Sequence, residues 1–425
     1  MTKKEFVFFS VNDFVKEGGG TIRMLGIMNE LAEKGHAVTF ISNTARVGLF
    51  HPSVKHIPVN FLIKPNEKRK IQSIIGFLSP FLLNWLFRPL FQRLKYLFKP
   101  YKNSTVYFFE YLDNSIGYWL YKNGLIAGYI NDLHGAAVLE FDYQYRTEGS
   151  RKKKIELYFK YLGAKFLDNK VFENAQGLIF ASKAMQSYYW KSIPRTRNKK
   201  NYILPYVLDK TQLNTNVDPS LQQSLKKRFE ISEDDKVIFF AGVFKKTGGV
   251  PDLVRAVSML NTKNIKLLLV GDGPTYTECE EIIKTHGLHN TYLIGRVPYK
   301  DLRTYQSLAN IIVCPDRENV YSQLIVHVKY LDAIISGKVV INGAFESVKE
   351  INADEKISVM FIPSNIESLA KAILRALENE SALLEKYKDN VEYIRKNLTY
   401  ATAISVLLQE NELSQNPVQS AKLVN

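Results

Sequence analysis

The feature that most constrains the fold is a repeated alternation of apolar strands, glycine-rich turns and helices. The chain begins with the apolar run EFVFFSV, continues with a glycine loop and an amphipathic helix that stops near Gly35, and returns to the apolar strand AVTFIS. Continuous apolar runs are typical of strands that are buried on both faces of a parallel sheet. The alternation therefore predicts a doubly wound α/β domain.

The second half of the chain restarts the same pattern. KVIFFAGV at 236–243 precedes another glycine loop and helix, and further strand-and-turn units follow up to ISVMFI at 357–362. We expect an N-terminal domain over 1–205, a second domain over 206–395, and a helical tail over 396–425 with the N-terminal domain as its packing partner. Two such domains face each other across a cleft in this prediction, and ligands bind at the carboxyl ends of the strands.

Charge is distributed unevenly along the chain. The 425 residues contain 57 Lys+Arg and 42 Asp+Glu, and residues 1–200 hold 31 of the basic and 15 of the acidic side chains. The excess therefore lies in the N-terminal half, which indicates an anionic partner surface. Cys279 and Cys314 are the only cysteines, which excludes a disulfide scaffold and a cysteine-based zinc site.

Two glycine loops follow strands, one in each predicted domain. GGG at 18–20 opens the first helix, and the second loop combines Lys245 and Lys246 with Gly248 and Gly249. Glycine lets backbone N–H groups approach a phosphate at a helix N-terminus. The first run does not match the dinucleotide pattern G-x-G-x-x-G. A flexible turn that needs positive φ is the alternative for each loop.

Polar side chains follow strand ends in both halves of the chain, and in the second half they are Asp316, Arg317, Glu318, Asn319 and Ser322. DLHGAAVLEF places Asp132, His134 and Glu140 after one strand, where an imidazole could act as an acid or base or contact a sugar hydroxyl. A surface histidine is the alternative, and the absence of a second histidine at ligand spacing argues against a metal site. Lys329 and Asp332 share a helix face at i and i+3, which favours either a surface ion pair or two side chains directed into the cleft.

The motifs together resemble the family 4 retaining glycosyltransferases, which have the GT-B fold of two Rossmann-like domains. The matching segments are AGVFKKTGGVPDLVRA, LLLVGDGP, LIGRVPYKDLRTYQSLANIIVCP and VKYLDAIISGKVVI in the second half. In the first half they are GGGTIRMLGIMNELAEKGHAVTFIS, DLHG and NYILPYVLD. The resemblance covers residues 5–395 and implies transfer of a sugar from a nucleotide-diphosphate donor with retention of configuration.

The resemblance also implies roles for individual residues. Gly19 and Gly20 would contact the donor diphosphate, Lys246 would neutralise it, and Asp332 would accept hydrogen bonds from the ribose. Arg296 would lie beside the nucleobase. His134, which would contact the donor sugar or the departing phosphate, and Glu318 are the predicted catalytic residues. The other predicted donor-binding residues are Gly242, Gly249, Gly271, Asn319, Ser322, Gln323 and Lys329. The donor would be a UDP- or GDP-sugar, with no cofactor and no metal.

The chain departs from the family pattern at two places. Leu324 stands where the family has the first of two glutamates, and Asp332 stands at the second. Ser322, Gln323, His327 and Lys329 instead resemble a "T-Q-x-x-x-P-x-K" variant of the family. Val243 and Gly248 replace the usual cations of the phosphate clamp, so Lys245 or Lys246 would have to substitute. These departures leave open a catalytically degenerate partner subunit.

Residues 66–103 form a basic, aromatic segment. It contains eight Lys or Arg, one acid, Trp85 and five phenylalanines, and Pro80 and Pro89 divide it into short helices. Its 14-residue apolar stretch at 74–87 is too short to span a bilayer. Basic residues beside a Trp/Phe/Leu face are typical of an interfacial helix on an anionic membrane. The predicted membrane or acceptor contacts are Lys68, Arg69, Lys70, Trp85, Arg88, Arg93 and Lys95.

A helix packed on the sheet with a solvated basic face is the alternative for this segment, and no nucleic-acid module accompanies the charge. The sequence thus favours a glycosyltransferase that acts on a lipid-linked or glycan acceptor in surface polysaccharide or glycolipid synthesis. We expect it in the cytoplasm at the inner face of the plasma membrane. The alternatives are the degenerate partner subunit and a nucleotide-sugar epimerase on the same fold.

Overall fold

A computed structural model of the chain describes residues 3–11, 19–43, 50–59, 63, 68, 71–72, 74–209, 213, 216–260, 264–320 and 322–408. The chain forms two compact units. Unit 1 consists of Met1–Pro205 together with the segment that begins at Tyr400, and unit 2 is Tyr206–Thr399. The first boundary coincides with the expected residue 205, and the second lies slightly beyond the expected residue 395.

Unit 1 is built on a seven-stranded parallel sheet in the order β3-β2-β1-β4-β5-β6-β7. Its strands are β1 Glu5–Ser10, β2 Ala37–Ser42, β3 Lys55–Pro58, β4 Thr105–Phe108, β5 Gly128–Leu133, β6 Gly177–Phe180 and β7 Lys200–Ile203. The central strands are buried on both faces, as their continuous apolar runs require. The strand order reverses between β1 and β4, and ligands bind beside such a reversal in open α/β sheets.

Helices connect these strands. In unit 1 they are α1 Gly19–Glu33, α2 Pro80–Leu86, α3 Arg88–Phe98, α4 Tyr111–Lys122, α5 Ala137–Thr147, α6 Arg151–Asn174 and α7 Lys183–Ser192. Short 3₁₀ turns follow at Lys99–Tyr101 and Pro194–Asn198. Ser79 caps α2 through a hydrogen bond from the Leu82 N–H, and Pro80 occupies its first turn, so this proline starts a helix.

The end of the described chain packs on unit 1. Helices α17 Tyr400–Ala403 and α18 Ser405–Leu408 follow unit 2 in sequence. A Cβ on Gly26 of α1 would lie only 2.2 Å from the Tyr400 ring, so the glycine makes room for this ring. Lys4 and Lys34 donate hydrogen bonds to the carbonyls of Leu408 and Ala401 at 2.6 and 2.7 Å.

Unit 2 contains a six-stranded parallel sheet in the order β10-β9-β8-β11-β12-β13. The strands are β8 Lys236–Ala241, β9 Ile265–Val270, β10 Thr291–Gly295, β11 Ile311–Cys314, β12 Val339–Gly343 and β13 Val359–Phe361. One buried cluster joins β8, β9 and β11 to the helices on one face. The strand order of this sheet reverses between β8 and β11. As in unit 1, a ligand is expected to bind beside this reversal.

The helices of unit 2 are α8 Pro219–Arg228, α9 Val250–Ser258, α10 Tyr276–Thr285, α11 Tyr299–Ser307, α12 Val328–Ile334, α13 Glu346–Lys349, α14 Ile366–Glu378, α15 Glu380–Tyr387 and α16 Asn390–Asn397. A 3₁₀ turn lies at Ala353–Glu355. Asp218 caps α8, accepting hydrogen bonds from the Ser220 and Leu221 N–H groups at 2.9 and 3.1 Å. The predicted architecture of two doubly wound parallel α/β domains is confirmed.

Candidate functional site

In unit 1, the carboxyl ends of β4 and β5 meet the start of α1. His134 directly follows β5, Glu110 follows β4, and Gly20 lies in the first turn of α1. A Cβ on Gly20 would lie 2.9 Å from His134 Nε2 and 3.6 Å from Glu110 Oε1. The predicted residues Gly20 and His134 are therefore neighbours, and only the absence of a side chain at Gly20 lets the helix approach the imidazole this closely.

A buried ion pair fixes this arrangement. The Arg23 guanidinium of α1 donates from Nε and Nη2 to the two carboxylate oxygens of Asp132, at 2.8 and 2.9 Å. Its Nη1 donates to the Pro205 carbonyl at 3.0 Å. Both charged side chains are buried. The bidentate geometry sets the position of α1 against the end of β5, where His134 follows two residues after Asp132.

The titratable groups at this edge have shifted pKa values. Burial lowers the pKa of His134, and the charge of Arg23 adds to this effect while Asp132 and Glu110 oppose it. The imidazole is therefore neutral at neutral pH. Burial, together with the negative Glu110, raises the pKa of Asp113 to about 7, although a hydrogen bond from the Val11 N–H opposes the shift. The edge thus combines a neutral imidazole with a carboxyl group that titrates near neutrality.

In unit 2, the loop after β8 is held by contacts with the end of β11. Arg317 donates from Nε and Nη2 to the two oxygens of Asp252, both at 2.6 Å, and from Nη1 to the Lys246 carbonyl at 3.2 Å. Asp252 lies in the first turn of α9. The side chains of Lys245 and Lys246 are exposed. The ion pair therefore fixes the backbone of the loop and leaves two cations in solvent beside a helix N-terminus.

The predicted glycines of unit 2 permit close backbone contacts. Gly249 has φ +65°, and a Cβ there would lie 1.8 Å from the Pro315 carbonyl oxygen. Gly271 has φ +131°, and its Cβ would lie 1.8 Å from the Gly242 carbonyl oxygen. L-amino acids rarely adopt these conformations. Both positions therefore require glycine for two reasons, backbone conformation and space.

Gly249→Ala is expected to lower the free energy of unfolding by about 3 kcal/mol or more, because the methyl group adds a backbone clash to the strain of positive φ. Gly337→Ala is the matched control, since Gly337 has φ +73° but no atom lies within 4 Å of its Cβ position. It should cost about 1 kcal/mol. Urea unfolding of both variants measures the difference, and equal losses would contradict the close contact at Gly249.

Lys329 and Asp332 do not form the ion pair that their helical spacing allows. Lys329 Nζ lies 2.8 and 2.7 Å from the two oxygens of Asp316, which follows β11. Its stem passes 3.7 Å from the Cβ position of Gly242, and its ammonium lies 5.5 Å from the centre of the Phe240 ring. The Tyr299 hydroxyl approaches the two oxygens of Asp332 at 2.9 and 3.1 Å. Lys329 and Asp332 thus have different partners, and the interpretation of the two as a surface ion pair is wrong.

The electrostatics around Lys329 follow from burial. Burial alone would raise the pKa of Asp316, but Lys329 and, more weakly, His327 and Lys245 hold it below its usual value. Burial lowers the pKa of His327, although Asp316 opposes the shift. Asp316 is therefore an anion that is neutralised mainly by Lys329, and Lys245 contributes to the same local field.

The polar side chains at 318–319 and 322–323, which follow β11, make contacts within the protein as well as with solvent. Asn319 Oδ1 accepts from the Ser322 N–H at 2.8 Å, and its Nδ2 donates to the Arg317 carbonyl at 3.0 Å. Gln323 Oε1 accepts from the Glu346 N–H at 2.9 Å, and its Nε2 lies 3.5 Å from Glu318 Oε1. The Glu318 carboxylate is exposed. Glu318 and Gln323 are therefore neighbours, while Asn319 and Ser322 stabilise the turn after β11.

Arg296 is an exposed side chain close to the glycine turn after β9. Its Nε lies 3.6 Å from Asp272 Oδ2, and Asp272 directly follows Gly271. Arg296 is therefore close to the turn that contains Gly271 and Asp272. Gly19 begins α1 one residue before Gly20.

Sequence reasoning missed Arg23, Asp252 and Arg317 as residues that position the site, and it missed Tyr299 as the partner of Asp332. Arg23 is a charged residue among the apolar residues of α1, and this position could have indicated a buried charge with a partner. Its partner is 109 positions away, so no local pattern identifies the pair.

The basic segment over 66–103 divides into two different helices. Leu90, Leu94 and Phe98 of α3 are buried, with the Phe98 ring 5.4 Å from Phe9, so α3 packs on the sheet with its basic residues outward. Arg88 and Lys95 are exposed, and Arg93 is half-buried. In α2 only Leu83 is buried, while Phe81 and Trp85 are 78% and 75% exposed. Lys68 is half-buried. Arg69 and Lys70 lie outside the described residues.

The described residues contain no group of three or more His, Cys, Asp or Glu side chains that could hold a metal ion. Within the same part of the chain, none of the helices has both the length and the apolar character needed to cross a bilayer.

Comparison with known proteins yields one family match and several relatives. Residues 222–397, all within unit 2, match the family model described as Glycosyl transferases group 1. An uncharacterised glycosyltransferase of Methanocaldococcus jannaschii is 25% identical over 158 residues, which is 37% of this chain. The match spans 39% of that relative, less than two thirds of its length.

Solved structures match nearly the whole chain. Sucrose-phosphate synthase from Thermosynechococcus elongatus has a TM-score of 0.73 at 18% identity and covers 97% of this chain and 100% of its own. HepE from Anabaena in complex with UDP has a TM-score of 0.68 at 14% identity, covering 98% and 100%. The chain therefore has the GT-B fold of two Rossmann-like doubly wound domains, and its second domain carries the match to the group 1 glycosyl transferases.

Proposed function

We propose that the protein is a retaining glycosyltransferase of the family 4 type, which moves a sugar from a nucleotide-diphosphate donor to an acceptor hydroxyl. The observation that carries this proposal is the loop after β8. Arg317 and Asp252 hold its backbone, and Lys245 and Lys246 extend into solvent next to the N-terminus of α9, within the segment that matches the group 1 family. Cations beside a helix N-terminus suit a diphosphate.

We assign the nucleotide to unit 2. Lys246 would neutralise the diphosphate, Arg296 would lie beside the nucleobase, and Asp332 would accept from the ribose hydroxyls. The complex of the structural neighbour HepE with UDP supports a uridine donor, with GDP-sugars as the other candidates. Gly242, Gly249, Gly271 and Lys329 would shape the floor of this site through the close contacts described above.

We assign contact with the donor sugar, and its reaction, to His134 and Glu318. Gln323 lies beside Glu318, and Asn319 and Ser322 shape the turn that carries Glu318 and Gln323. Negative charge grows on the departing diphosphate as the glycosidic bond breaks, and preorganised N–H groups and cations stabilise it. Gly19 and Gly20 would bring the N–H groups of the α1 terminus to the diphosphate. The neutral His134 imidazole can donate one hydrogen bond from a ring N–H without adding a competing charge. In this proposal the reaction needs no metal and no cofactor.

We further propose an acceptor at the membrane, either lipid-linked or a glycan, in surface polysaccharide or glycolipid synthesis. The exposed aromatic residues of α2 and the exposed Arg88 and Lys95 of α3 support contact with an anionic leaflet. In this proposal the protein binds peripherally to the inner face of the plasma membrane from the cytoplasm.

A melting screen against UDP, GDP, ADP and their sugars, run in excess chelator, tests the donor site. A ligand present at 100 times its Kd stabilises the folded state by about 2.7 kcal/mol, which gives a readily measured shift in Tm. We expect one nucleotide to raise the Tm, and Lys245→Ala/Lys246→Ala to remove most of the shift. Lys349→Ala, on a surface helix of the same unit, is the control. A shift that appears only after metal is added would contradict metal independence.

A catalytically silent partner subunit is the second candidate. Leu324 is buried and cannot bond a sugar hydroxyl, and Val243 and Gly248 replace the usual cations of the phosphate clamp. Donor hydrolysis separates the candidates, because a silent subunit could bind a nucleotide but would not release sugar from the donor. Product analysis would also distinguish transfer from epimerisation of the donor.

A further inference from the structure

Helix α6 has one buried apolar face and further apolar residues outside it. Gly163, Ala164, Leu167, Val171 and Phe172 are buried in unit 1. Tyr158 packs against Tyr145 of α5, with their ring centres 5.2 Å apart, and Leu162 is half-buried. The remaining residues with helical spacing, which we call the α6 stripe, are Ile155, Phe159 and Phe166. Its residues Ile155, Phe159 and Phe166 are 60%, 52% and 58% exposed. A surface helix normally directs charged and polar residues outward, so this stripe requires an explanation.

The α6 stripe is joined to the exposed aromatic residues of α2. A Cβ on Gly76 would lie 2.1 Å from the Gly163 carbonyl oxygen, so the chain before α2 lies against the backbone of α6. The rings of Phe77 and Phe166 are in contact, with their centres 6.1 Å apart. Phe81 and Trp85 follow Phe77 along the chain. The two helices therefore present one connected set of exposed apolar side chains.

Cations border this apolar surface. Arg151, Lys152, Lys165 and Lys170 of α6 are exposed. The acidic residues Glu156 and Glu173 of the same helix form ion pairs with Lys160 and Arg195. The border is therefore basic, and a partner that offers apolar material and negative charge together fits it. An anionic lipid bilayer has both, since acyl chains accept the aromatic side chains and headgroups accept the cations.

We propose that the α6 stripe and α2 form a single docking surface for an anionic bilayer, with α6 lying in the plane of the membrane interface. This extends the predicted membrane contact beyond residues 66–103 to a helix that begins at Arg151. It rests on the membrane partner proposed above but does not require transfer activity. The exposed apolar residues of α6 would then be buried in the headgroup region, while its covered face holds the helix on the sheet.

Vesicle flotation of the full-length protein tests this surface. Phosphatidylcholine vesicles are compared with vesicles of phosphatidylcholine and phosphatidylglycerol at a ratio of about 7:3, which supply the anionic headgroups that the basic border requires. Ile155→Ser/Phe159→Ser alters the α6 stripe alone, and Phe81→Ser/Trp85→Ser alters α2 alone. Met259→Ser/Tyr393→Ser removes comparably exposed side chains from unit 2 and is the matched control. Phe166→Ser is a second single variant of the stripe, in case the double variant folds poorly.

We expect the wild type to float with the anionic vesicles only. Each variant of α6 or α2 should bind these vesicles at least about tenfold more weakly, because it lacks apolar side chains that the bilayer would bury. The control should bind like the wild type. The UDP-induced Tm shift should persist in every variant, which separates failure of this surface from failure of the donor site. Unchanged binding of both stripe variants would overturn the role of α6. A wild-type dimer in light scattering that these variants convert to a monomer would instead identify a second copy of the chain as the partner.

Discussion

Replacing His134 with alanine is expected to lower the rate of sugar transfer by about 10²- to 10⁴-fold, the range typical of a positioned acid–base or hydrogen-bonding group. His134 is held next to the N-terminus of α1, where its Nε2 lies 2.9 Å from the Cβ position of Gly20. The buried Arg23–Asp132 pair fixes the helix and strand that create this contact. Loss of the imidazole would leave the site formed but without this donor.

The pH dependence of the same reaction provides a second readout. Because burial lowers the pKa of His134 below its usual value of 6.5, the imidazole is still mostly neutral at pH 6.5 and becomes mostly protonated only at lower pH. We therefore expect transfer to be sustained at pH 6.5 and to fall at lower pH. The variant His134→Gln should lose the part of the fall in transfer rate at low pH that protonation of His134 causes.

His56→Ala is the matched control for these measurements. His56 is also a histidine of unit 1 with a pKa lowered by burial, but its Nε2 pairs with Ser42 Oγ at 2.9 Å on the outer strands of the sheet. Its replacement should leave transfer close to wild type. Undiminished transfer by His134→Ala in a folded protein would exclude the proposed role.

Lys329→Met is expected to destabilise unit 2 by about 3–5 kcal/mol, because it leaves Asp316 buried without its main counter-charge. The methionine keeps most of the apolar stem against Phe240 and Gly242, so the loss reports the charge rather than packing. Removal of both charges in Asp316→Asn/Lys329→Met should restore part of the stability, since no unpaired ion is then buried.

Lys349→Met provides the surface reference for this series. Lys349 pairs with Glu346 at 2.7 Å, but both side chains are exposed, and such pairs contribute about 0–1 kcal/mol. Urea unfolding of the wild type, Lys329→Met, Asp316→Asn and the double variant gives the coupling between Lys329 and Asp316. A loss in Lys329→Met that is as small as in Lys349→Met, or a double variant less stable than either single one, would contradict a buried compensated pair.

The sheets were largely predictable from the sequence because their inner strands are buried on both faces. Strands β1, β2 and β8 have nearly continuous apolar runs, and each was predicted within a few residues. The strands β3 and β7, with sequences KHIP and KNYI, were not predicted. They are the two outer strands of the unit 1 sheet, where partial exposure removes the apolar signal.

Helix and strand were confused where an apolar run changes structure. The sequence VYFFEYL at 106–112 has the apolar pattern of a single strand, but β4 ends at Phe108 and α4 begins at Tyr111. A short apolar run does not distinguish a buried strand from a buried helix start. The functional consequence is that Glu110, in the turn between them, was not recognised as a neighbour of Gly20.

Local sequence signals predicted where glycines and polar residues follow strands, but not which side chains pair with one another. Glycines after strands mark loops that approach a ligand, so Gly20, Gly249 and Gly271 could be identified locally. Helical spacing left open an ion pair between Lys329 and Asp332, yet Lys329 binds Asp316 and Asp332 binds Tyr299. Such pairs depend on how loops from different strands converge, and one-dimensional spacing does not contain that information.

Because the chain returns to unit 1 after unit 2, the segment that begins at Tyr400 is part of the N-terminal unit. Leu208 and Thr399 lie side by side in a parallel bridge, so the chain enters and leaves unit 2 at neighbouring points. Beyond that exit, the Tyr400 ring fills the space above Gly26 in the first helix. A truncation that seems only to trim the C-terminus would therefore remove a packing partner of the N-terminal helix. Residues 206–399 thus lie in the sequence between two parts of unit 1.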